Sequence, residues 1–318
     1  MLLKKAEHED NFQSIATKWH ETWKSDKSPQ HQKAVWNRLE GDLFPFLGKK
    51  PINEITAPQI LMVVKKIEAR GASDIAKRTY QTCGQVFRYA VAHGLCERNP
   101  AKDIKPSDAL KSRQEQNFAR VDEKEFPELL RAIDDYTNQG GNEITLLAIK
   151  LMSYTFVRTS ELIGARWSEM DLEAKQWRIP AERMKMKDPH IVALSSQSIE
   201  ILKRLHEISG GREFVFPSNA SPLKSMSNNT ILYALYRMGY HSRMTGHGFR
   251  GIASTILHEQ GYPHEHIELQ LAHQERNKVS ASYNHAKYLS QRAKMMQNWS
   301  DYLDGIKSGA KVINLKKA

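Results

Sequence analysis

Residues 155–162, Thr155-Phe156-Val157-Arg158-Thr159-Ser160-Glu161-Leu162, place one arginine between two apolar stretches. The helical pattern of Glu143–Tyr154 leads into Arg158, and Thr159 or Ser160 is a suitable N-cap for a following helix. Glu161 stands one helical turn beyond Arg158 and is spaced to hold its guanidinium group. On these residues alone, a structural ion pair is the simpler interpretation and a functional arginine is the alternative.

A β-hairpin is predicted downstream of this stretch. The strand-like residues Trp177–Pro180 and His190–Leu194 flank a basic segment, Arg183–Pro189, which carries Lys185 and Lys187. Helical patterns surround the hairpin at Asp122–Tyr136, from Ser195 to about Gly210, and through most of the remaining chain to about Ile306. These elements predict a mixed α+β second half with a small sheet.

The segment Thr245-Gly246-His247-Gly248-Phe249-Arg250 opens another predicted helix. His247 and Arg250 are three positions apart, so they share a face at the helix N-terminus, where the dipole favours a phosphate oxygen. An ordinary capped helix with a surface arginine is the alternative. Tyr283 lies ten residues after Leu271-Ala272-His273, and by itself it is best explained as the edge of an apolar helix face.

The first hundred residues predict a small helical domain. Helices are expected at about 12–23, 29–44, 56–71 and 73–94, with Pro45 ending the second. A polar segment follows Asn99-Pro100 and indicates a linker. We therefore expect a helical domain at 1–105, a linker at 106–118, a second domain at 119–306 and a C-terminal tail at 307–318.

The composition indicates a globular protein with a phosphate-rich partner. The 318 residues are 40% hydrophobic and 26% charged, which suits about two domains with buried cores. The formal charge of +11 divides into +5 over residues 1–110 and +6 over 111–318, so no single basic tail accounts for it. A basic protein without such a partner is the alternative. No signal peptide or membrane span is evident, so the cytoplasm is expected.

Several chemistries are not indicated. The sequence contains no Gly-x-x-x-x-Gly-Lys-Ser/Thr loop, no Gly-x-Gly-x-x-Gly turn and no Gly-x-Ser-x-Gly elbow. Cys83 and Cys96 are too few for a disulfide framework or a four-cysteine zinc site. His264, His266 and His273 are only loosely spaced for zinc. We therefore expect neither a cofactor nor a metal.

Together, the basic residues and the tyrosine supply what phosphoryl transfer to a protein nucleophile requires. Two arginines can clamp the phosphodiester oxygens, on which negative charge grows in the transition state. A phenol, with a reference pKa of about 10, needs cationic neighbours and a proton acceptor to act at neutral pH. A departing deoxyribose alkoxide is strongly basic and needs a proton donor, which a hairpin lysine can supply.

The second half of the chain resembles the tyrosine recombinase (phage integrase) family, especially the integrases of prophages and genomic islands. The resemblance runs from about residue 120 to Tyr302 and is carried by five motifs in matching order: Phe156–Trp167, Ile179–Met186 with Pro189–Val192, His247–Arg250, Leu271–His273 and Ala281–His285. It implies a mainly α fold with a small β-sheet. The N-terminal helical domain would be a core-binding domain, followed by a mixed α+β catalytic domain of the type shared by tyrosine recombinases and type IB topoisomerases.

The resemblance also implies a role for each matching residue. Arg158 and Arg250 would clamp the scissile phosphate, and His273 would hydrogen-bond a non-bridging oxygen. Tyr283 would attack the phosphorus and form a 3′-phosphotyrosyl bond. That bond conserves the phosphodiester energy, so the reaction needs no nucleotide or metal.

Two further residues would move protons. His247 would handle the proton of the nucleophile, and Lys185 would protonate the leaving 5′ oxygen. Lys187 is the alternative to Lys185, because it lies two residues further on in the same hairpin. Lys185 is preferred because its distance from Ala193, at the end of the returning strand, matches the family pattern.

The partners implied by the resemblance are double-stranded DNA at attachment sites, a DNA-bending host factor and an excisionase. A monomer in solution would assemble as a homotetramer on two duplexes, in a bacterial cytoplasm and associated with the nucleoid. The apolar Val312–Leu315 of the tail is predicted to dock as a strand, either in cis or on a neighbouring subunit. Integrating or excising a mobile element would be the biological outcome.

Two features depart from the family pattern. Phe156 stands where many members have glycine. The first helix begins near residue 12, so the N-terminal arm-binding domain of such integrases is expected to be lacking. Two alternatives also stay open: a type IB topoisomerase-like enzyme, and a non-catalytic, sequence-specific DNA-binding protein.

Overall fold

The computed structural model describes residues 11–111, 119–273 and 288–309. The chain divides into two compact units, Met1–Glu115 and Gln116–Ala318. Both units are mainly helical, and the second contains a small antiparallel sheet. This architecture confirms the predicted fold class. Within the described ranges, no helix has the length and apolar character needed to cross a membrane.

The first unit is built from helices around one apolar core. They are α1 (Phe12–Trp23), α2 (Pro29–Arg38), α3 (Phe44–Leu47), α4 (Ala57–Ala69), α5 (Ser73–Ala92) and the short α6 (Pro106–Ala109). Asn11 caps α1 by accepting a hydrogen bond from the backbone N of Ser14 at 2.8 Å. Phe12 of α1 and Phe87 of α5 are fully buried, with ring centroids 5.8 Å apart. The helices predicted at the two ends of this domain are thus confirmed.

The expected end of the second helix at Pro45 is wrong. Helix α2 ends at Arg38, residues Leu39–Leu43 form a π-helical turn, and α3 then begins at Phe44. Pro45 lies in the first turn of α3. Backbone N–H groups in a first turn have no intrahelical acceptor, so the missing N–H of proline is tolerated there.

The second unit surrounds a buried central helix, α8. Its elements are α7 (Phe126–Asp134), α8 (Glu143–Thr155), α9 (Thr159–Ile163), β1 (Met170–Asp171), β2 (Gln176–Ile179), β3 (His190–Ala193), α10 (Ser196–Ser209), α11 (Asn228–Arg237), α12 (Gly246–Glu259), α13 (His264–Gln270) and α14 (Leu289–Lys307). Trp299 of α14 is fully buried, and its Nε1 donates to the carbonyl of Ser153 in α8 at 3.0 Å. This contact fixes the last described helix against the centre of the unit.

The sheet has the antiparallel order β1-β2-β3, with Trp177 paired to Val192. The predicted hairpin is therefore confirmed. Strand β1 was not predicted, because two residues are too few to show an alternating pattern. Residues 210–227 do not form the expected helix. The pair Gly210-Gly211, and then Pro217 and Pro222, interrupt helix formation there.

Candidate active site

Arg158 occupies the N-cap position of α9, directly after the buried end of α8. The Glu161 carboxylate accepts from the backbone N of Arg158 at 2.8 Å and from its Nη1 at 2.7 Å. Glu161 is buried, whereas 20% of the Arg158 side chain is exposed. The predicted pairing is confirmed, and the carboxylate orients a guanidinium group that still reaches solvent.

Phe156, two positions before Arg158, has a left-handed backbone with φ 40°. This conformation turns the chain between α8 and α9 and favours glycine, the residue that the resemblance leads us to expect at this position. The Phe156 ring is fully buried and meets Trp299 edge-on, with centroids 6.0 Å apart. Aromatic packing therefore offsets a backbone strain of about 1–2 kcal/mol.

We expect Phe156→Gly to lower the free energy of unfolding by about 2–4 kcal/mol. Loss of a buried phenyl group costs about 3–5 kcal/mol, and relief of the backbone strain returns about 1 kcal/mol. Phe156→Ala keeps the strain, so it should be less stable than Phe156→Gly by about 1 kcal/mol. Urea unfolding of the three proteins measures both differences. A glycine variant as stable as the unsubstituted protein would contradict this account.

Arg250 lies near the N-terminus of α12 and is almost completely buried, with 3% exposure. Its Nη1 donates to the carbonyl of Phe156 at 2.9 Å, and its Nη2 donates to the carbonyl of Leu271 at 2.6 Å. Nε has no hydrogen-bond partner among the residues that the structure describes. Burial, followed by the charge of Arg158, lowers the pKa of Arg250 to about 10. The group therefore stays cationic at neutral pH.

The turn Leu271–His273 follows α13 and holds both arginines. Ala272 has φ 49°, and this bend directs successive carbonyl groups towards different partners. The carbonyl of Leu271 accepts from Arg250, and that of Ala272 accepts from Arg158 Nη2 at 3.1 Å. One turn thus keeps two guanidinium groups together despite the repulsion between their like charges.

His273 bridges Arg250 and Glu268. A guanidinium group only donates, so His273 Nε2 accepts from Arg250 Nη2 at 3.2 Å. The ring proton then lies on Nδ1 and faces Glu268 Oε2 at 3.0 Å. Donation from Nε2 to a phosphate oxygen would require a proton on Nε2 and the loss of this contact with Arg250. Glu268, which the sequence reasoning missed, orients the ring through its contact with Nδ1.

Gly246 allows the N-terminus of α12 to approach α9. A Cβ atom on Gly246 would lie 2.4 Å from Thr159 Oγ1, closer than any side chain can pack. Thr159 follows Arg158, so this close approach places His247 and Arg250 in the neighbourhood of Arg158. The glycine is therefore a packing requirement of the site.

His247 is exposed in the first turn of α12. Desolvation of its ring lowers its pKa, and the positive charges of Arg250 and Arg158 and the neighbouring His273 act in the same direction. The neutral imidazole, which can accept a proton, is therefore favoured at neutral pH. The site thus contains a base beside two arginines.

We expect the rate of the phosphoryl transfer predicted from the sequence to fall with acid at a pH below 6.5, the reference pKa of histidine. The lowered pKa keeps His247 neutral until that pH, and protonation then removes its ability to accept a proton. In His247→Gln this acid limb should disappear and the plateau rate should fall by about 10²–10⁴-fold. His258→Gln, near the other end of α12, is the control. An unchanged acid limb in His247→Gln would contradict the predicted role of His247 as proton acceptor.

Lys185 and Lys187 are both exposed in the connection between β2 and β3. Both lysines stand on the same connection, so the preference for Lys185 stays a prediction. Tyr283 and Val312–Leu315 lie outside the described residues, and their roles stay predictions too.

Arg292, in the first turn of α14, is a buried cation that the sequence reasoning missed. Its Nε and Nη2 bind Gln270 Oε1 at 3.2 and 2.8 Å, and Nη2 also donates to the carbonyl of Ile191. These bonds join α14 to α13 and β3. Burial, and then the charge of Arg292, lower the pKa of His190 to about 3, so that this buried ring is neutral.

The described part of the site is suited to an anion. Arg158 and Arg250 share one turn, His273 contacts Arg250, and His247 experiences the charge of both arginines. No group of three or more potential metal-ligating side chains occurs in the described parts of the chain. Two cationic forks beside a neutral imidazole can hold a phosphate and accept a proton from a nucleophile.

Comparison with known proteins identifies both parts of the chain. Residues 12–107 match the model of the phage integrase central domain, and residues 119–289 match that of the phage integrase family. The integrase of Enterobacteria phage P4 is 39% identical over 312 residues, covering 92% of this chain and 69% of that protein. The prophage integrase IntA of Escherichia coli K12 is 35% identical over 304 residues, covering 96% and 72%.

Solved structures show the same fold. A lambda integrase tetramer bound to a Holliday junction has a TM-score of 0.67 at 17% identity, covering 84% of this chain and 79% of that one. The Tn1549 transposon integrase with circular intermediate DNA has a TM-score of 0.63 at 17% identity, covering 90% of this chain and 99% of that one. The matching models, the identity with curated integrases and the shared fold agree with the arginine–histidine site. The chain therefore belongs to the phage integrase family and is a site-specific DNA recombinase.

Proposed function

We propose that this recombinase cleaves and rejoins attachment-site DNA through a 3′-phosphotyrosyl bond to Tyr283. The observation that carries the proposal is the turn Leu271–His273, which holds Arg158 and Arg250 side by side. Two guanidinium groups at one place suit a phosphodiester undergoing substitution.

Arg158 and Arg250 bind the non-bridging oxygens of the scissile phosphate in this proposal. Arg158 offers the more exposed guanidinium, and Glu161 keeps it in one orientation. Arg250 donates hydrogen bonds to the carbonyls of Phe156 and Leu271, so its guanidinium group is fixed before DNA binds. His273 adds a hydrogen bond to the same phosphate once Nε2 carries a proton.

The reaction is a substitution at phosphorus. The Tyr283 oxygen forms a bond to phosphorus while its phenolic proton passes to neutral His247. The bond between phosphorus and O5′ breaks, its electron pair stays on O5′, and Lys185 supplies the proton to that oxygen. The same steps in reverse, with a different 5′ hydroxyl as nucleophile, rejoin the DNA. No net hydrolysis occurs, so the exchange can integrate or excise a mobile element.

The partner of the whole reaction is double-stranded DNA at attachment sites. The net charge of +11 supports phosphate binding along the duplex. The lambda integrase tetramer on a Holliday junction supports a homotetramer acting on two duplexes here as well. We include in this proposal a monomer in solution, a DNA-bending host factor, an excisionase and a place with the nucleoid in a bacterial cytoplasm.

The proposal is tested with an attachment-site DNA that carries a nick near the cleavage point. Cleavage then releases a short oligonucleotide, and the covalent protein–DNA adduct cannot religate. The expected result is an adduct that survives denaturation and maps by mass spectrometry to the peptide containing Tyr283. Specific DNA binding with no adduct would support the non-catalytic alternative.

A topoisomerase-like activity is distinguished in a separate assay. A type IB topoisomerase would relax arbitrary supercoiled plasmid at low protein concentration, where tetramers do not form. A recombinase of the proposed kind should relax only plasmids that carry its attachment site. The integrase-like motifs at Phe156–Trp167 and Leu271–His273 favour the second result.

A further inference from the structure

Arg183, two residues before Lys185, fastens the β2–β3 connection to α9. It ends the 3₁₀ turn Ala181–Arg183, and only 16% of its side chain is exposed. Its Nη1 donates to Glu169 Oε2, and its Nη2 donates to the backbone carbonyl of Glu161. One guanidinium group therefore binds two acceptors that lie on different elements.

The acceptors of Arg183 are themselves fixed. The Glu169 side chain is 5% exposed, and its Oε2 also accepts from Trp177 Nε1 of β2 at 2.9 Å. Gly164 makes room for the guanidinium, because a Cβ atom there would lie 3.0 Å from Arg183 Nη2 and 3.4 Å from its Nε. The Glu169 carboxylate, the Trp177 indole and the space left by Gly164 thus form a site built around Arg183.

Glu161 links this contact to the arginine of the active site. Its carboxylate binds Arg158 through Nη1 at 2.7 Å and through the backbone N at 2.8 Å, while its carbonyl binds Arg183. Movement of Arg183 away from Glu161 would therefore free the lysine-bearing connection from the element that holds Arg158.

We propose that Arg183 is a positioning residue that sets the general acid on the β2–β3 connection, Lys185, relative to Arg158. The inference rests on the proposed function, because it assigns no step to Arg183 itself. Two residues of chain span at most about 7 Å, so anchoring Arg183 confines the backbone at Lys185. A misplacement of about 1 Å in a catalytic group can slow a reaction by about 10²-fold.

The chemistry of the leaving group provides the test. In the cleavage step, O5′ leaves with the electron pair of the broken bond and takes a proton from Lys185. When sulfur replaces this bridging 5′ oxygen, the leaving group is a thiolate. Thiolates are much weaker bases than alkoxides, as the reference pKa of about 8.5 for the cysteine thiol illustrates. A thiolate departs without a proton donor, so the sulfur substrate bypasses the general acid.

The experiment measures single-turnover adduct formation on matched oxygen and sulfur substrates. Arg183→Met should slow cleavage of the oxygen substrate by about 10²-fold relative to the unsubstituted protein. On the sulfur substrate, its rate should lie within about threefold of that of the unsubstituted protein. Lys185→Ala should behave in the same way. The ratio of the two rates is taken within one protein preparation, so loss of folded protein cancels.

Two milder variants test the same inference in case Arg183→Met does not fold. Arg183→Lys keeps the charge but not both contacts, and Gly164→Ala keeps Arg183 but displaces its guanidinium. Both should raise the sulfur-to-oxygen rate ratio. Arg178→Met is the matched control, because this arginine of β2 is exposed and its ion pair within the described residues is with Asp171, at 3.6 Å. Its rate ratio should equal that of the unsubstituted protein.

The failure of this inference differs from the failure of the proposed function. Equal slowing of Arg183→Met, Arg183→Lys and Gly164→Ala on both substrates would overturn the positioning role. Absence of an adduct in the unsubstituted protein, on either substrate, would overturn the proposed function. A third result is that the sulfur substrate restores the rate of Arg183→Met and Lys187→Ala but not that of Lys185→Ala. Arg183 would then still position the general acid, but that acid would be Lys187 and not Lys185.

Discussion

Tyr283→Phe is expected to abolish the covalent protein–DNA adduct while leaving DNA binding unchanged. The substitution removes one oxygen atom, which is the atom that bonds to phosphorus in the proposed step. Affinity for DNA arises mainly from contacts with many phosphates, so its value and its salt dependence should stay the same. Gel separation under denaturing conditions and a binding titration at several salt concentrations measure the two effects.

A second tyrosine provides the control for this result. Tyr288, five positions further along the chain, is the N-cap residue of α14 and lies against His266, with ring centroids 4.7 Å apart. Tyr288→Phe removes the same atom from a neighbouring position and should form the adduct at the normal rate. An adduct that persists in Tyr283→Phe, or that is lost in Tyr288→Phe, would refute the assignment of the nucleophile.

Arg250→Lys is expected to slow cleavage by about 10³–10⁵-fold, the range typical for an arginine that stabilises phosphoryl transfer. Lysine keeps one positive charge but lacks the planar fork, so it cannot satisfy Phe156, Leu271 and a phosphate together. The variant should also unfold more easily, because a buried carbonyl without a donor costs about 1–3 kcal/mol.

The catalytic and structural effects of Arg250 can be separated by its comparison with other arginines. Arg158→Lys should lose a similar factor in rate with a smaller change in stability, because Arg158 is the more exposed of the two. Arg243→Lys is the control, since this exposed arginine pairs with Glu125 at 2.6 Å. A normal cleavage rate in folded Arg250→Lys would remove Arg250 from the proposed mechanism.

Most of the fold could be predicted because its signals are local. Helix α1 is evident from apolar residues at helical spacing, and β2 and β3 from strand-like runs on either side of a basic tip. The missed features are those in which a local rule fails or is too short to detect. Pro45 was expected to end a helix but lies in the first turn of one, directly after a π-helical turn, and β1 contains only two residues.

The candidate site divides in the same way. The pairing of Arg158 with Glu161 follows from their spacing on one helical turn, and the shared face of His247 and Arg250 follows from theirs. The contacts that bring these two groups together were not predictable, because the acceptors are main-chain carbonyls. Every residue carries a carbonyl group, so nothing in the identity of Leu271 marks it as the partner of Arg250.

The sequence by itself determined the chemical groups of this recombinase, their order along the chain and the helices and hairpin that carry them. Such features depend on side-chain type and short-range periodicity, and both are given directly by the order of the residues. Only the tertiary structure decided that Ala272 bends the turn that holds both arginines and that Arg183 fastens the lysine-bearing connection to Glu161. These contacts depend on backbone direction and on close approach between distant segments, and long-range packing alone decides both.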